Sequence, residues 1–349
     1  MAIVDLHDML DFAEQQGFAI PAFEVTSLDH LEMILSTAEH CNAPLMLYVD
    51  YCKHNNFQFN ALLIAIENAA QQSETLVAIQ VQNCNNAEST TTAIRQGCNA
   101  TSFNAESSPF NLSNQHFLDV QQINQDCGTH FELQLASHYC SDFTFNLINK
   151  TNIRLLHLDI DSASSENQLT QLKSLKPSLQ IGFSIDYQID YDQVCVREAI
   201  EQGLLKVNFS KTTLDACRHV IADTFSEIIA SCIHYTAATN KADDLSAHCS
   251  PWTGVEHLII FNTSEINDKE AHEMMFKGQE ILSKIPGVRR VDIGEAIAQD
   301  AQYRFTWLVR FCHPNVIVSY RDHADHVAFA NELFRPVAAN RISIDYEII

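Results

Sequence analysis

Two sets of residues in this 349-residue chain have types and spacing that could do chemistry. The first is a series of polar side chains, each closing a short apolar run: Glu24, Asp50, Gln82 with Asn83, Asn104 with Glu106, Glu132 with Gln134, Asp159 with Asp161, Asp186, and Asn208 with Ser210. Gathered on one rim, these carboxylates and amides would hold a cationic or polyhydroxylated small molecule, or a hard ion such as Mg²⁺ through carboxylate oxygens. The alternative is that they are solvated loop-end groups on an acidic protein. The second set is Tyr320, His323 and His326, read as neighbours on one helical face. A neutral imidazole there is a suitable base for removing a proton alpha to a carbonyl, and packing is its alternative role. His323 and His326 have no third ligand nearby except Asp322 or Asp325, so no metal is expected between them.

The elements that must position the first set read as repeated βα units over residues 1–235. Apolar or β-branched runs at 19–23, 44–49, 76–82, 100–104, 130–135, 154–160, 180–185 and 205–209 predict eight strands. Between them, 28–40, 59–72 and 194–202 carry apolar residues at helical spacing. The expected fold is a (β/α)8 TIM barrel, whose ligands sit at the C-terminal ends of the strands. Residues 236–252 are polar and read as a linker. From 253 to 349 the expected order is strand 257–261, helix 268–285, strands 289–296 and 304–312, helix 316–333 and strand 341–348. That is a βαββαβ, ferredoxin-like α+β domain.

Composition narrows the partners. The formal net charge of −23 repels phosphates, so nucleic acid and anionic membranes are not expected to bind. The eleven cysteines include no Cys-x-x-Cys pair, which fits free thiols in a reducing compartment. The first residues lack a signal-peptide pattern and no apolar run nears the ~20 residues of a membrane helix, so a cytoplasmic location is expected. Glycine is scarce, nine residues in all, with none between Gly128 and Gly182. Gly-rich turns that bring bare N–H groups to a phosphate are therefore missing from that region.

Four stretches resemble class II, zinc-dependent fructose-bisphosphate aldolases. They are Ala19-Ile-Pro-Ala-Phe-Glu-Val25, Leu76-Val-Ala-Ile-Gln-Val-Gln-Asn83, Ser102-Phe-Asn-Ala-Glu-Ser-Ser-Pro-Phe110 and Gly203-Leu-Leu-Lys-Val-Asn-Phe-Ser210. The resemblance implies a zinc site of three histidines, a carboxylate base, an acidic pair after the fifth strand and a glycine-rich phosphate turn. Here the first zinc position is Asn83 and the base position is Gln82. The region of the second reads Asp159-Ile-Asp-Ser-Ala-Ser164, and that of the third, with its glycine turn, reads Ser184-Ile-Asp-Tyr-Gln188. The acidic pair is reduced to Glu132 and Gln134. Asn is a poor zinc ligand and Gln does not take a proton near neutral pH, so the family's zinc is expected to be lost and no cofactor is expected.

Glu256-His-Leu-Ile-Ile-Phe261, Lys284-Ile-Pro-Gly-Val288, Tyr320-Arg-Asp-His-Ala-Asp-His-Val-Ala-Phe329 and Ile342-Ser-Ile-Asp-Tyr346 resemble the stress-responsive A/B-barrel (Dabb) family. That resemblance implies a homodimer. In plant polyketide cyclases of the family it implies an aldol-type ring closure by a Tyr and a His that match Tyr320 and His326. Three readings follow. The first is a degenerate aldolase barrel that binds a small molecule or acts as a scaffold, joined to a dimerising Dabb domain. The second is a metal-independent carbon–carbon lyase or cyclase using Glu132 or the Tyr320/His326 pair. The third, a working zinc aldolase of carbohydrate metabolism, requires ligands from His130, His138 or His157.

Overall fold

The structure, a computed structural model, describes residues 2–105, 115–135, 153–158, 172–174, 176–184, 193–217 and 224–348. It divides into two units: residues 1–93, 98–121 and 130–252 form the first, and 94–97, 122–129 and 253–349 the second. Among the described residues no helix is long and apolar enough to cross a membrane.

The first unit is the expected barrel. Strands β1 (Ile20–Glu24), β2 (Leu45–Asp50), β3 (Val77–Gln82), β4 (Ala100–Asn104), β5 (His130–Leu135), β6 (Leu155–Leu158), β7 (Gln180–Ser184) and β8 (Leu204–Phe209) close in sequence order, all parallel. Their near-continuous burial is what a strand covered on both faces requires. Helices start and stop on local chemistry. Leu28–Cys41 opens on Ser27, whose hydroxyl accepts the His30 N–H, and closes at Asn42 with φ 49°. Phe225–Thr236 opens on a Thr224/Glu227 capping box.

The segment 236–252, expected to be a linker, belongs to this unit. It contains the short helix Ala242–Ser246, and Ala242, Leu245 and Cys249 are buried. Backbone hydrogen bonds from Asn240 N–H to Cys41 O (3.1 Å) and from Trp252 N–H to Ile3 O (3.0 Å) fasten it. Its three apolar residues at i, i+3 and i+7 form a helical stripe hidden in a polar stretch.

Alternation decides what fills the barrel. Register pairs Tyr48 with Gln80, Ser102 with Glu132, His157 with Gly182, and Gly182 with Lys206, so one parity of every strand faces inward. In most such barrels that interior is aliphatic. Here it holds an ion pair: Lys206 Nζ lies 2.6 and 2.7 Å from the two oxygens of Glu132, both side chains 0% exposed. Gln80 bridges the pair, donating from Nε2 to Glu132 (2.6 Å) and accepting from Lys206 at Oε1 (3.1 Å). His157 Nδ1 approaches Glu132 at 3.6 Å and Nε2 meets Ser184 Oγ at 3.0 Å. Gly182 makes the room: a Cβ there would stand 3.1 Å from Lys206 Cβ and 3.3 Å from His157 Nδ1.

The second unit is the expected ferredoxin-like domain. Strands β9 (Val255–Thr263), β10 (Val288–Glu295), β11 (Phe305–Phe311) and β12 (Ala338–Glu347) form an antiparallel sheet in the order β10-β11-β9-β12. One face buries Phe261, Trp307 and Val309 with Met275 and Leu282 of the helix Asp268–Leu282. The second helical segment differs from expectation. Instead of one helix over 316–333, Val316–Asp322 ends at an extended His323 (φ −64°, ψ 135°), which caps a new helix, Ala324–Phe329, by accepting the Asp325 N–H.

The buried pair yields a stability test. Lys206→Met leaves Glu132 charged and without its cation, which should cost about 3–5 kcal/mol in urea denaturation at pH 7. The double variant Lys206→Met/Glu132→Leu removes both charges and should recover more than half of that loss. Equal destabilisation of single and double variants would mean that packing, not charge pairing, carries the effect.

Candidate functional site

The layer above the ion pair, at the C-terminal ends of the strands, holds the described members of the predicted rim other than Glu132. Glu24 is 1% exposed; it accepts from Lys53 Nζ at 2.5 Å and from the Lys211 N–H at 2.9 Å. Lys53 Nζ also lies 3.9 Å from Asp50. A positive charge therefore stands among the rim carboxylates. Lys53, in the Tyr51–Lys53 turn directly after β2, brings one positive charge to the two carboxylates on this side and pairs most closely with Glu24. No periodicity marks a residue in such a turn, so no sequence pattern points to it.

Asp50 Oδ1 accepts the Cys52 N–H and Asn83 Nδ2, each at 2.9 Å. Asn83 Oδ1 in turn accepts from Asn104 Nδ2 at 3.1 Å. Asn83 stands at φ 61°, a left-handed conformation that Asn tolerates better than most residues. Both polar atoms of its side chain are thus used in an Asp50–Asn83–Asn104 chain. Ser210 is occupied differently: its hydroxyl accepts the Thr213 N–H at 3.1 Å as a helix cap.

Two side chains of this layer are left unsatisfied. Gln82 is 9% and Asn208 2% exposed, yet Gln82 Nε2 and Asn208 Oδ1 have no hydrogen-bond partner among the described residues. Buried polar atoms are seldom left so. Tyr48, below them, is fully buried. Burial, with the charges of Glu24, Asp50 and Glu132, pushes its phenol well above the ordinary value, so it stays a donor.

Glu132 is not at the mouth. Burial alone would raise its pKa, but Lys206, His157 and the hydrogen bonds from Lys206 and Gln80 hold it below the usual carboxylate range. Both its oxygens are engaged within this interior cluster. The alternating pattern put Glu132 and Lys206 on inward positions, but it could not say that they meet. Glu106, Asp159, Asp161 and Asp186, along with His138, lie outside the described residues. His157 belongs to the interior cluster and is kept neutral, with a pKa lowered by burial to about 4. His130 is at the opposite end, 2.9 Å from Asp5 and ring to ring with His7 (centroids 4.3 Å). Neither joins Asn83. Among the described residues no three His, Cys, Asp or Glu side chains group to hold a metal ion.

The C-terminal domain has its own cavity, of about 190 Å³, between the sheet and the broken helix. Tyr320 and His326 both line it, their ring centroids 4.4 Å apart. The Arg321 carbonyl lies 3.0 Å from His326 Nδ1, and because a carbonyl only accepts, Nδ1 carries the proton and Nε2 the lone pair. Burial lowers the His326 pKa, keeping that lone pair available, and raises that of Tyr320, keeping it a donor. His257 faces the same cavity with Nδ1 2.6 Å from Asp345.

Comparison with known proteins agrees with both folds. Residues 4–137 match the family of class-II fructose-bisphosphate aldolases, and residues 255–348 match the stress responsive A/B barrel domain. A fructose-bisphosphate aldolase of Nostoc sp. is 35% identical over 71 residues, 19% of this chain and 20% of that protein. Fructose-bisphosphate aldolase 2 of Cereibacter sphaeroides is 28% identical over 100 residues, 28% of each chain. The chain thus matches only 20–28% of the length of these curated relatives. The crystal structure of the YdjI aldolase from Escherichia coli K12 superposes with a TM-score of 0.58 at 16% identity, covering 69% of this chain and 99% of that one, a likeness of fold. The chain joins a class-II fructose-bisphosphate aldolase family domain at its N-terminus to a stress-responsive A/B barrel (Dabb) domain at its C-terminus.

Proposed function

We propose that the first domain is an aldolase-fold binding module for a small, neutral, polyhydroxylated molecule, and that it has lost zinc-dependent sugar-phosphate cleavage. The observation that carries this is the pair of buried, unsatisfied amide atoms, the Gln82 donor and the Asn208 acceptor. Hydroxyl groups satisfy donor and acceptor alike. Lys53 supports a neutral ligand over a cation, because its ammonium already occupies the position beside Glu24 and Asp50 that a cation would take. The residues do not fit zinc. Asn83 spends both polar atoms on neighbours, and the sequence supplies no histidine at 159–164 or 184–188. Among free aldoses, ketoses and polyols at saturating concentration, at least one should raise the melting temperature by on the order of 5 °C. Gln82→Leu/Asn208→Leu should abolish that rise, and zinc chloride should give none. Stoichiometric zinc in the purified protein, with stabilisation by added zinc, would sink this reading.

We infer that the second domain pairs two copies of the chain through the open face of its sheet. Ile342 beside Ile260 and Thr306, and Ile344 beside Leu258 and Leu308, form two rows on the face away from the helices. Ile342, Ile344 and Tyr346 are 40, 41 and 49% exposed, an apolar patch that a second copy would cover. Sedimentation should give a dimer at micromolar concentration, and Ile342→Asp/Ile344→Asp a folded monomer. A monomeric wild type rejects the inference.

The Tyr320–His326 contact supports a second reading, proton transfer at carbon in the C-terminal cavity. His326 Nε2 is the base and the Tyr320 hydroxyl stabilises the developing enolate oxygen. The protein should speed hydrogen–deuterium exchange at the activated methylene of ethyl acetoacetate above the buffer rate. His326→Ala should lose roughly a hundred-fold of that acceleration. Exchange that survives both His326→Ala and Tyr320→Phe rules the pair out.

A further inference from the structure

The C-terminal cavity has a charge pattern at odds with the rest of the chain. The protein carries 44 Asp and Glu against 21 Lys and Arg. Yet the cavity is lined by Arg335, Arg341, His257 and His326, and by no carboxylate. Of the acids beside this set, Asp345 is engaged by His257 and Asp322 by Arg321. Arg335 donates to the neutral Asn331 amide, and neither arginine has a carboxylate partner among the described residues. Arg310, on the same sheet, shows the contrast, with Glu256 at 2.9 Å. An unpaired guanidinium pair at the opening of a cavity is a ready fork for a carboxylate.

Apart from the hydroxyls of Tyr320 and Ser343, the rest of the lining is apolar. Trp307, Phe329 and Phe334 are 1, 4 and 7% exposed and meet edge to face, Trp307 to Phe329 at 5.6 Å and to Phe334 at 6.3 Å. An apolar cavity of about 150 Å³ accommodates a benzene ring, so about 190 Å³ leaves room for one ring and a small substituent. Such a chamber with a few polar groups at one end is the usual form of a small-molecule site.

We propose that this cavity binds a compact monocarboxylate with an apolar body the size of a single ring, its carboxylate held by Arg335 and Arg341. The proposal rests on reading the cavity as a ligand site and is independent of any catalysis by Tyr320 and His326. His326 and Tyr320 lie along the wall beside the bound body, so the arginines fix which carbon faces the imidazole. Both guanidiniums are exposed, and their replacement leaves the packed core untouched.

Calorimetric titration of the full-length protein with benzoate, benzamide and benzylamine tests it. Benzoate should bind one per chain and at least about ten-fold tighter than benzamide, the value of a hydrogen bond to a charged group. Benzylamine should not bind. Arg335→Gln/Arg341→Gln should weaken benzoate by about ten-fold or more and leave benzamide unchanged. Equal affinity for benzoate and benzamide, or benzoate binding that the double variant does not weaken, overturns the anion assignment and leaves the cavity a ligand site. Saturable binding of none of the three overturns both.

Discussion

The barrel is organised around one buried ion pair. Lys206 on β8 and Glu132 on β5 reach each other across the interior, each fully out of water. Removing two such charges from solvent costs several kcal/mol per ion, and only close geometry and full hydrogen bonding offset it. The neighbouring choices follow from that constraint. Gln80 supplies a donor to one partner and an acceptor to the other, an ability that no aliphatic residue has. Gly182 gives up its side chain so that the lysine stem and the His157 ring can pass. His157 remains neutral because a third charge would be buried with the pair. The interior is thus a polar core built around a fully hydrogen-bonded ion pair, and it forms the floor on which the mouth residues stand.

At the mouth, side-chain amides set the geometry. An amide has the size of a carboxylate and more directional hydrogen bonding, but it neither takes a proton at neutral pH nor binds a Lewis-acid cation well. Asn83 uses this to lock the ends of β2, β3 and β4 together through Asp50 and Asn104. Gln82 and Asn208 are placed by alternation two residues beyond Gln80 and Lys206, so a rigid floor fixes their positions while their free atoms stay unsatisfied. The two domains therefore present opposite electrostatics. One offers carboxylates, a single lysine and neutral amides, the other cations beside aromatic rings.

The parallel strands were legible because each is a short apolar run between helical patterns, and all eight fall within two residues of their expected limits at either end. The rim order was legible for the same reason, since residues that close strands share the barrel mouth. What lay beyond the sequence was partnership. Lys206 could be placed inside a strand, but nothing local tells that its ammonium meets Glu132, which is 74 positions away. Glu132 accordingly looked like a free acid. Lys53 was invisible because turns have no period, and Ala242, Leu245 and Cys249 were masked by the polar residues between them. In the C-terminal domain the apolar pattern across 316–333 runs on through the break at His323, so only the backbone reveals it.

That break changes how Tyr320 and His326 come together. Six residues apart on a continuous helix, they would be separated by about 9 Å along the axis and point some 120° apart. The extended backbone of His323 ends the first helix and restarts the second at a new angle. The two rings then meet at 4.4 Å, although no helical repeat would pair them. His323 is held in this role by the Asp325 N–H that it caps. The motif's middle histidine therefore acts on conformation and the outer pair faces the cavity, a division of labour that helical-face reasoning cannot reach.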